Sequence, residues 1–223
     1  MAKILHIHTA LETAIICLSD GSELMAERTN PNQRDHAAFL HVGIRELMAE
    51  AGWGMSRLDA IQVVEGPGSY TGLRVGMAAA KGLCYALSIP LISCNTLAWM
   101  ASGAVGLSGE MLRCPMIDAR RMEVFTAVFD VDGQQLMPGS PMILTPDSFI
   151  GWLRDREAVF FGNGAGKFRE ICDHPNARFA DMTSGSRELI TLGLAAFGRR
   201  DFAETAYAEP FYGKAFHSTA KLQ

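Results

Sequence analysis

The second half of this 223-residue chain begins again like the first, and that recurrence constrains the fold more than any single motif. Ile7-His8-Thr9 lies against Ile117-Asp118-Ala119 at an offset of 110, and Thr13, Ile15 and Cys17 then fall on Glu123, Phe125 and Ala127. Gly21 matches Gly133 after a two-residue insertion. Later, "EAVFFGNGAGKF" echoes "IQVVEGPGSYTG" as strand, glycine loop and helix. Identity is low, but the order of elements predicts a duplicated α/β unit.

"KILHIH", "TAIICLS" and "ELMAER", separated by turns, predict a meander of three antiparallel strands. A helix capped by Asp35 should follow and run to about Ala51, with Leu40, Ile44, Leu47 and Met48 as its core stripe. Phe39 and Val42 lie off that stripe, which fits either burial between two layers or a partner surface. "LDAIQVVEG" reads as a buried strand, Leu73–Leu87 as a helix, "PLISC" as a strand and Thr96 to about Ala104 as a short helix. "GAVGLSGE" marks a joint near residues 103–110, dividing an N-terminal lobe, 1–105, from a C-terminal lobe, 106–223. The second lobe should end in a helix from Arg187 to about Ala206 and an extended tail.

With 48% hydrophobic residues, the chain can bury a core without staples. Its net charge is −4 and its 20 Lys and Arg are scattered, which argues against tight RNA binding by the chain alone. Five cysteines, an odd count with no CxxC, suit a reducing compartment. The N-terminal apolar run is broken by His, Thr and Glu, unlike a signal peptide, and no run approaches the ~18 apolar residues of a membrane helix. The expected location is the cytoplasm, without membrane contact.

"EGPGSYTGLRVGMAAAKGL" has the chemistry of an anion site. Gly66, Gly68 and Gly72 let backbone N–H groups approach a phosphate, and the following helix adds positive potential. Pro67 shapes the turn, Ser69 and Thr71 offer hydroxyls, and Arg74 offers a guanidinium. The plain alternative is a tight strand-to-helix turn that binds nothing. GxGxxG fails because Thr71 stands where glycine is needed, and in "FGNGAGKF" Phe161 and Phe168 rule out a Walker A loop.

The longer segment, from "EGPGSYTG" to "SCNTLAWMA", resembles the TsaB (YeaZ) family, formerly grouped with glycoprotease-type peptidases. "IDARRMEVFTAVFD", "FFGNGA" and "AEPFY" resemble later segments of that family in the right order. The resemblance implies an actin-like, ribonuclease H-like, two-lobed α/β fold, shared with acetate kinase, sugar kinases and heat-shock proteins. It also implies a non-catalytic scaffold that binds TsaD, the catalytic paralogue, with TsaE as a third, ATPase member. Together these place threonylcarbamoyl on the adenosine next to the anticodon of ANN-decoding tRNAs. Contact with tRNA would come only through the complex. The chain would have no cofactor of its own, with ATP or ADP at the TsaD-facing surface left open, and would form a homodimer when alone. The partner helices would be Asp35–Ala51 and Leu73–Leu87, and the interface is assigned to His36, Phe39, Leu40, Gly43, Gly76, Ala80 and Cys84.

The residues give no catalytic set. The catalytic paralogue's metal-binding HxxxH falls here on Thr96 and Met100. His36 and His41 are five apart, about 140° around a helix, so they share no face. His6 and His8 do share a strand face, but without further ligands. The Asp that usually ends the first strand of this fold is His8, in "IHTA", a poor substitute towards hydrated Mg²⁺. Asp118, Arg120 and Arg121 read as local ion pairs and turn contacts or, alternatively, as a carboxylate acid or base. Glu65 has no evident second acid, and Gly213 departs from the family's usual "YLR"-like tail. The competing functions are an independent nucleotide-binding module and a glycoprotease-like or phosphotransferase enzyme.

Overall fold

The computed structural model describes residues 1–104, 110–181 and 184–213. The joint expected near 103–110 falls largely outside the described residues, as does the tail beyond Gly213. Strands β1 (Lys3–His8), β2 (Ala14–Asp20) and β3 (Glu23–Asn30) form the antiparallel meander. Helix α1 (His36–Glu50), β4 (Ala60–Gly66), α2 (Tyr70–Leu87), β5 (Leu91–Asn95) and α3 (Thr96–Ser102) complete the first unit. The second repeats it: β6 (Leu112–Asp118), β7 (Glu123–Phe129), β8 (Gln135–Ile143), α4 (Ile150–Leu153), β9 (Ala158–Phe161), α5 (Ala165–Arg169), β10 (Ala177–Phe179) and α6 (Ser186–Arg199).

The two sheets have orders β3-β2-β1-β4-β5 and β10-β9-β6-β7-β8, the same topology element for element. In each, the first strand pairs antiparallel with the second and parallel with the fourth. Strands β1 and β6 end at His8 and Asp118, the positions aligned from sequence. Gly21 and Gly133 both take positive φ, 59° and 82°, in equivalent turns.

Helices α1 and α2 pack on the outer face of the first sheet, where Leu40, Ile44, Leu47, Met77 and Ala80 meet Leu5, Ile7, Ile16 and Val63. The second sheet's own core gathers Phe149, Phe160 and Phe168. Between the sheets, α3 and α6 join the two halves through Leu97, Trp99, Phe125, Phe161, Leu189 and Ile190.

Chain order assigns α6 and the tail to the second lobe, but in space they return to the first. Helix α6 packs on β1 and β5. Gly193 sits so close to His6 and Gln62 that a Cβ there would meet both at 2.9 Å. With its amide NH₂ towards Leu189, Gln62 donates to the Leu189 carbonyl and to His6 Nδ1, and accepts from the Gly193 N–H. His6 Nε2 bonds Ser19 Oγ at 2.9 Å. A buried polar set therefore docks α6 where the alternation of β1 points histidines away from α1 and α2.

Two helix boundaries differ from expectation. Helix α6 stops at Arg199, not Ala206, because Arg200 turns left-handed (φ 56°) and the Asp201 N–H closes on the Ala196 carbonyl. Helix α2 begins at Tyr70, so the glycine loop is shorter and its last residues are already helical. Asp35 occupies the N-cap of α1, but its side chain makes no capping bond and instead accepts from Asn32 Nδ2.

Candidate functional site

The glycine segment is built around the end of β1. The Ser69 N–H donates to the Ala10 carbonyl (2.7 Å), and Ser69 Oγ caps α2 by accepting from the Gly72 N–H. Thr9 Oγ1 donates to the Gly72 carbonyl at 2.7 Å. A Cβ at Gly68 would lie within 3.0 Å of the Ala10 carbonyl oxygen, one at Gly72 within 3.0 Å of Thr9 O, and one at Gly76 within 3.0 Å of Thr9 Oγ1. Backbone against backbone thus accounts for Gly68 and Gly72, and the Thr9 hydroxyl for Gly76. Gly66, at φ 128° and joined to Pro67 by a cis bond, lies under the carbonyl of Phe211 from the tail.

The hydroxyl and guanidinium expected to meet an anion are placed differently. Thr71 is exposed on the first turn of α2, beside the cleft between the lobes. Arg74 turns towards the tail: its Nε donates to the Tyr212 hydroxyl (2.8 Å), and its guanidinium stacks over Tyr70 at 4.2 Å. The tail is further held by the Phe211 N–H on the Glu65 carbonyl and by Lys81 Nζ on the carbonyls of Ala206 and Ala208. No sequence signal for this strap exists, because Arg74 and Tyr212 are 138 residues apart. Replacing Tyr212 with alanine should speed hydrogen exchange at the Phe211 amide about tenfold, the loss of one modest hydrogen-bonded anchor. Exchange mass spectrometry of the 205–213 peptide would measure it.

The partner-interface residues need correction. His36, Leu40, Gly43, Gly76, Ala80 and Cys84 are all buried within the chain itself, and Phe39 is half-buried. His36 Nε2 donates to the Glu12 carbonyl (3.1 Å), pinning α1 to the β1–β2 turn. The small stripe of α2 lets the helix lie close to the sheet. The free faces are the opposite ones, with Ala38 and Val42 on α1 and Ala78, Gly82 and Tyr85 on α2. Val42 is 45% and Tyr85 86% exposed, and a Cβ at Gly82 would meet nothing within 4 Å.

In the cleft, His8 replaces the expected acid. It is fully buried against Trp99, with ring centroids 4.2 Å apart, and burial lowers its pKa to about 4, so the imidazole is neutral. Thr96 and Met100, where the resemblance implied that a metal-binding paralogue would carry histidines, are buried, and Met100 lines the cleft beside His8. Among the described residues no three His, Cys, Asp or Glu side chains gather as metal ligands. Across the cleft, Asp118 accepts from Lys167 Nζ (2.8 Å) and from the Arg120 N–H, and the Lys167 bond holds its carboxyl below the usual range. Arg120 and Arg121 form the left-handed turn that follows. This arrangement is the local ion pair and turn rather than a free acid or base. Glu65 is partly buried, which raises its pKa, with a hydrogen bond to Ser93 opposing the shift.

The structure is thus a duplicated two-lobe α/β protein, built on two five-stranded sheets of like topology, whose first strand ends in a buried, neutral histidine. A profile of the TsaD family, tRNA N6-adenosine threonylcarbamoyltransferase, matches residues 23–183. The tRNA threonylcarbamoyladenosine biosynthesis protein TsaB of Escherichia coli is 30% identical over 94% of each chain. That of Bacillus subtilis is 28% identical over 76% of this chain and 75% of its own. A solved structure of YeaZ from Pseudomonas aeruginosa superposes with a TM-score of 0.79 at 28% identity, covering 95% of this chain and all of that one. The chain belongs to the TsaB family.

Proposed function

We propose that the chain acts in tRNA threonylcarbamoyladenosine biosynthesis as a non-catalytic subunit that binds and supports a TsaD-type paralogue. The observation that carries this reading is the outer face of α1 and α2, where Val42, Ala78, Gly82 and Tyr85 remain exposed after the fold has used the other face. Small residues beside exposed apolar ones let a second helix pair approach closely. Neutral His8 and the Thr96 and Met100 positions support the non-catalytic part. A TsaE-type ATPase joins the same assembly, tRNA is reached through it, and any ATP or ADP sits at the TsaD-facing surface. The working compartment is the cytoplasm. Without its partner the same face self-associates symmetrically as a homodimer.

Size-exclusion chromatography with light scattering, on the chain alone and mixed with the TsaD-type protein of the same organism, tests this. A homodimer that gives way to a heterodimer is expected. The pair Val42→Glu and Ala78→Arg should weaken the complex about a hundredfold by placing charges in the contact, while leaving the circular dichroism of the folded chain unchanged because both sites are open. Failure to form any complex, with or without TsaE and ATP, would overturn the proposal.

A further inference from the structure

The outer face of α1 and α2 is positive in a chain whose net charge is −4. From Tyr70 to Leu87, helix α2 carries Arg74 and Lys81 and no acid. On α1, Arg45 lies on the exposed side with Val42. Among the described residues Arg45, Arg74 and Lys81 form no ion pair. Arg74 is exposed and rests on neutral groups, the Tyr212 hydroxyl and the rings of Tyr70 and Tyr212. Lys81 donates to strap carbonyls. The acids of α1 and its N-cap are already engaged, Glu46 and Glu50 with Arg28 on β3 and Asp35 with Asn32. Beside Ala78, α2 and the strap border a groove of about 580 Å³ that Arg74 and Lys81 line. Glu209, also in that lining, pairs with neither cation among the described residues and leaves the sum positive.

We propose that this face selects a partner whose helices present unpaired carboxylates, and that Arg45 and Arg74 disfavour a second copy of this chain in the same place. The inference rests on the reading of this face as the partner surface. In a symmetric contact the face meets itself, so the cations of one copy approach those of the other. Like charges pressed together cost affinity. An acidic helix face instead gains a pair at each guanidinium, whose planar fork matches a carboxylate. Stacking on Tyr70 and the bond to Tyr212 already hold the Arg74 guanidinium in place, so little freedom is lost when a carboxylate arrives.

The test uses the full chain and the TsaD-type protein of the same organism. Between about 50 and about 500 mM NaCl, titration calorimetry should show the heterodimer weakening about tenfold, while sedimentation equilibrium shows the homodimer tightening. At the lower salt, Arg74→Glu and Arg45→Glu should each weaken the heterodimer about tenfold and tighten the homodimer. Tyr212→Phe removes the hydroxyl bond to Arg74 and keeps the charge, so it should bind the partner like the native chain. The two arginines are exposed on different helices, so either variant decides if the other fails to fold. A heterodimer unmoved by salt, arginine variants that bind the partner as tightly as the native chain or dimerise no more readily, or Tyr212→Phe as weak as Arg74→Glu, would overturn the inference. If Val42→Glu with Ala78→Arg still breaks the complex in that case, the partner surface itself stands. No complex with the native chain would overturn both.

Discussion

Replacing Gly72 with alanine should destabilise the protein by about 3 kcal/mol or more, although the position lies at the start of a helix, where alanine is ordinarily preferred. The new methyl group would lie within 3.0 Å of the Thr9 carbonyl oxygen, a backbone atom that cannot rotate away. Either α2 lifts from β1 or the β1–β2 turn shifts, and both disturb the bonds from Ser69 to Ala10 and from Thr9 to Gly72. Gly82→Ala is the internal control. It sits on the same helix with open space around it, so it should be stabilising by roughly 0.5–1 kcal/mol through helix propensity alone. Urea unfolding of both variants without ligand separates two explanations of the glycine segment. If its glycines exist to admit an anion, Gly72→Ala will keep full stability in the absence of one.

Acid should weaken the fold strongly. His6 and His8 are fully buried, and burial lowers both pKa values from 6.5 to about 4. The unfolded chain therefore takes up these two protons at a higher pH than the folded chain does. Stability from this source is complete above the unfolded value, declines as pH falls below it, and is fully lost once pH has fallen through the folded value. Each histidine accounts for on the order of 3 kcal/mol between about pH 7 and about pH 4. Urea midpoints across that range should fall steeply for the native chain and about half as steeply for His8→Phe, which retains only His6. Equal slopes in the two proteins would show that His8 is not held neutral by the fold.

The two buried histidines also show where sequence reading stops. Alternation along β1 places them on one face, and a pair without further ligands already argues against a metal. That His6 would be satisfied by Gln62 and Ser19 while His8 would pack against Trp99 with no hydrogen-bond partner among the described residues depends on β2, β4 and α3. The site was legible in the same partial way. The glycine spacing located the strand-to-helix turn, but the phosphate chemistry read into it assumed that glycine approaches a ligand. Here glycine admits a neighbouring backbone segment, Thr9–Ala10, more than fifty residues away in the chain.

The order of elements, by contrast, is written locally. Alternating apolar residues, turn glycines and helix stripes recur across the two halves at a spacing that equates His8 with Asp118, and the sheets reproduce that duplication strand for strand. What only the tertiary structure decided is which side of each element is used. Helices α1 and α2 carry apolar and small residues over a wide arc, so both faces read as suitable for packing. The sheet takes Leu40, Gly43, Gly76, Ala80 and Cys84, and leaves Val42, Ala78, Gly82 and Tyr85 outside. Helix α6 likewise reads as part of the second lobe, yet its closest fit, Gly193 on His6 and Gln62, is on the first. Sequence periodicity reports what a segment can bury. The partner that buries it is fixed by contacts between residues far apart in the chain, which no local pattern encodes.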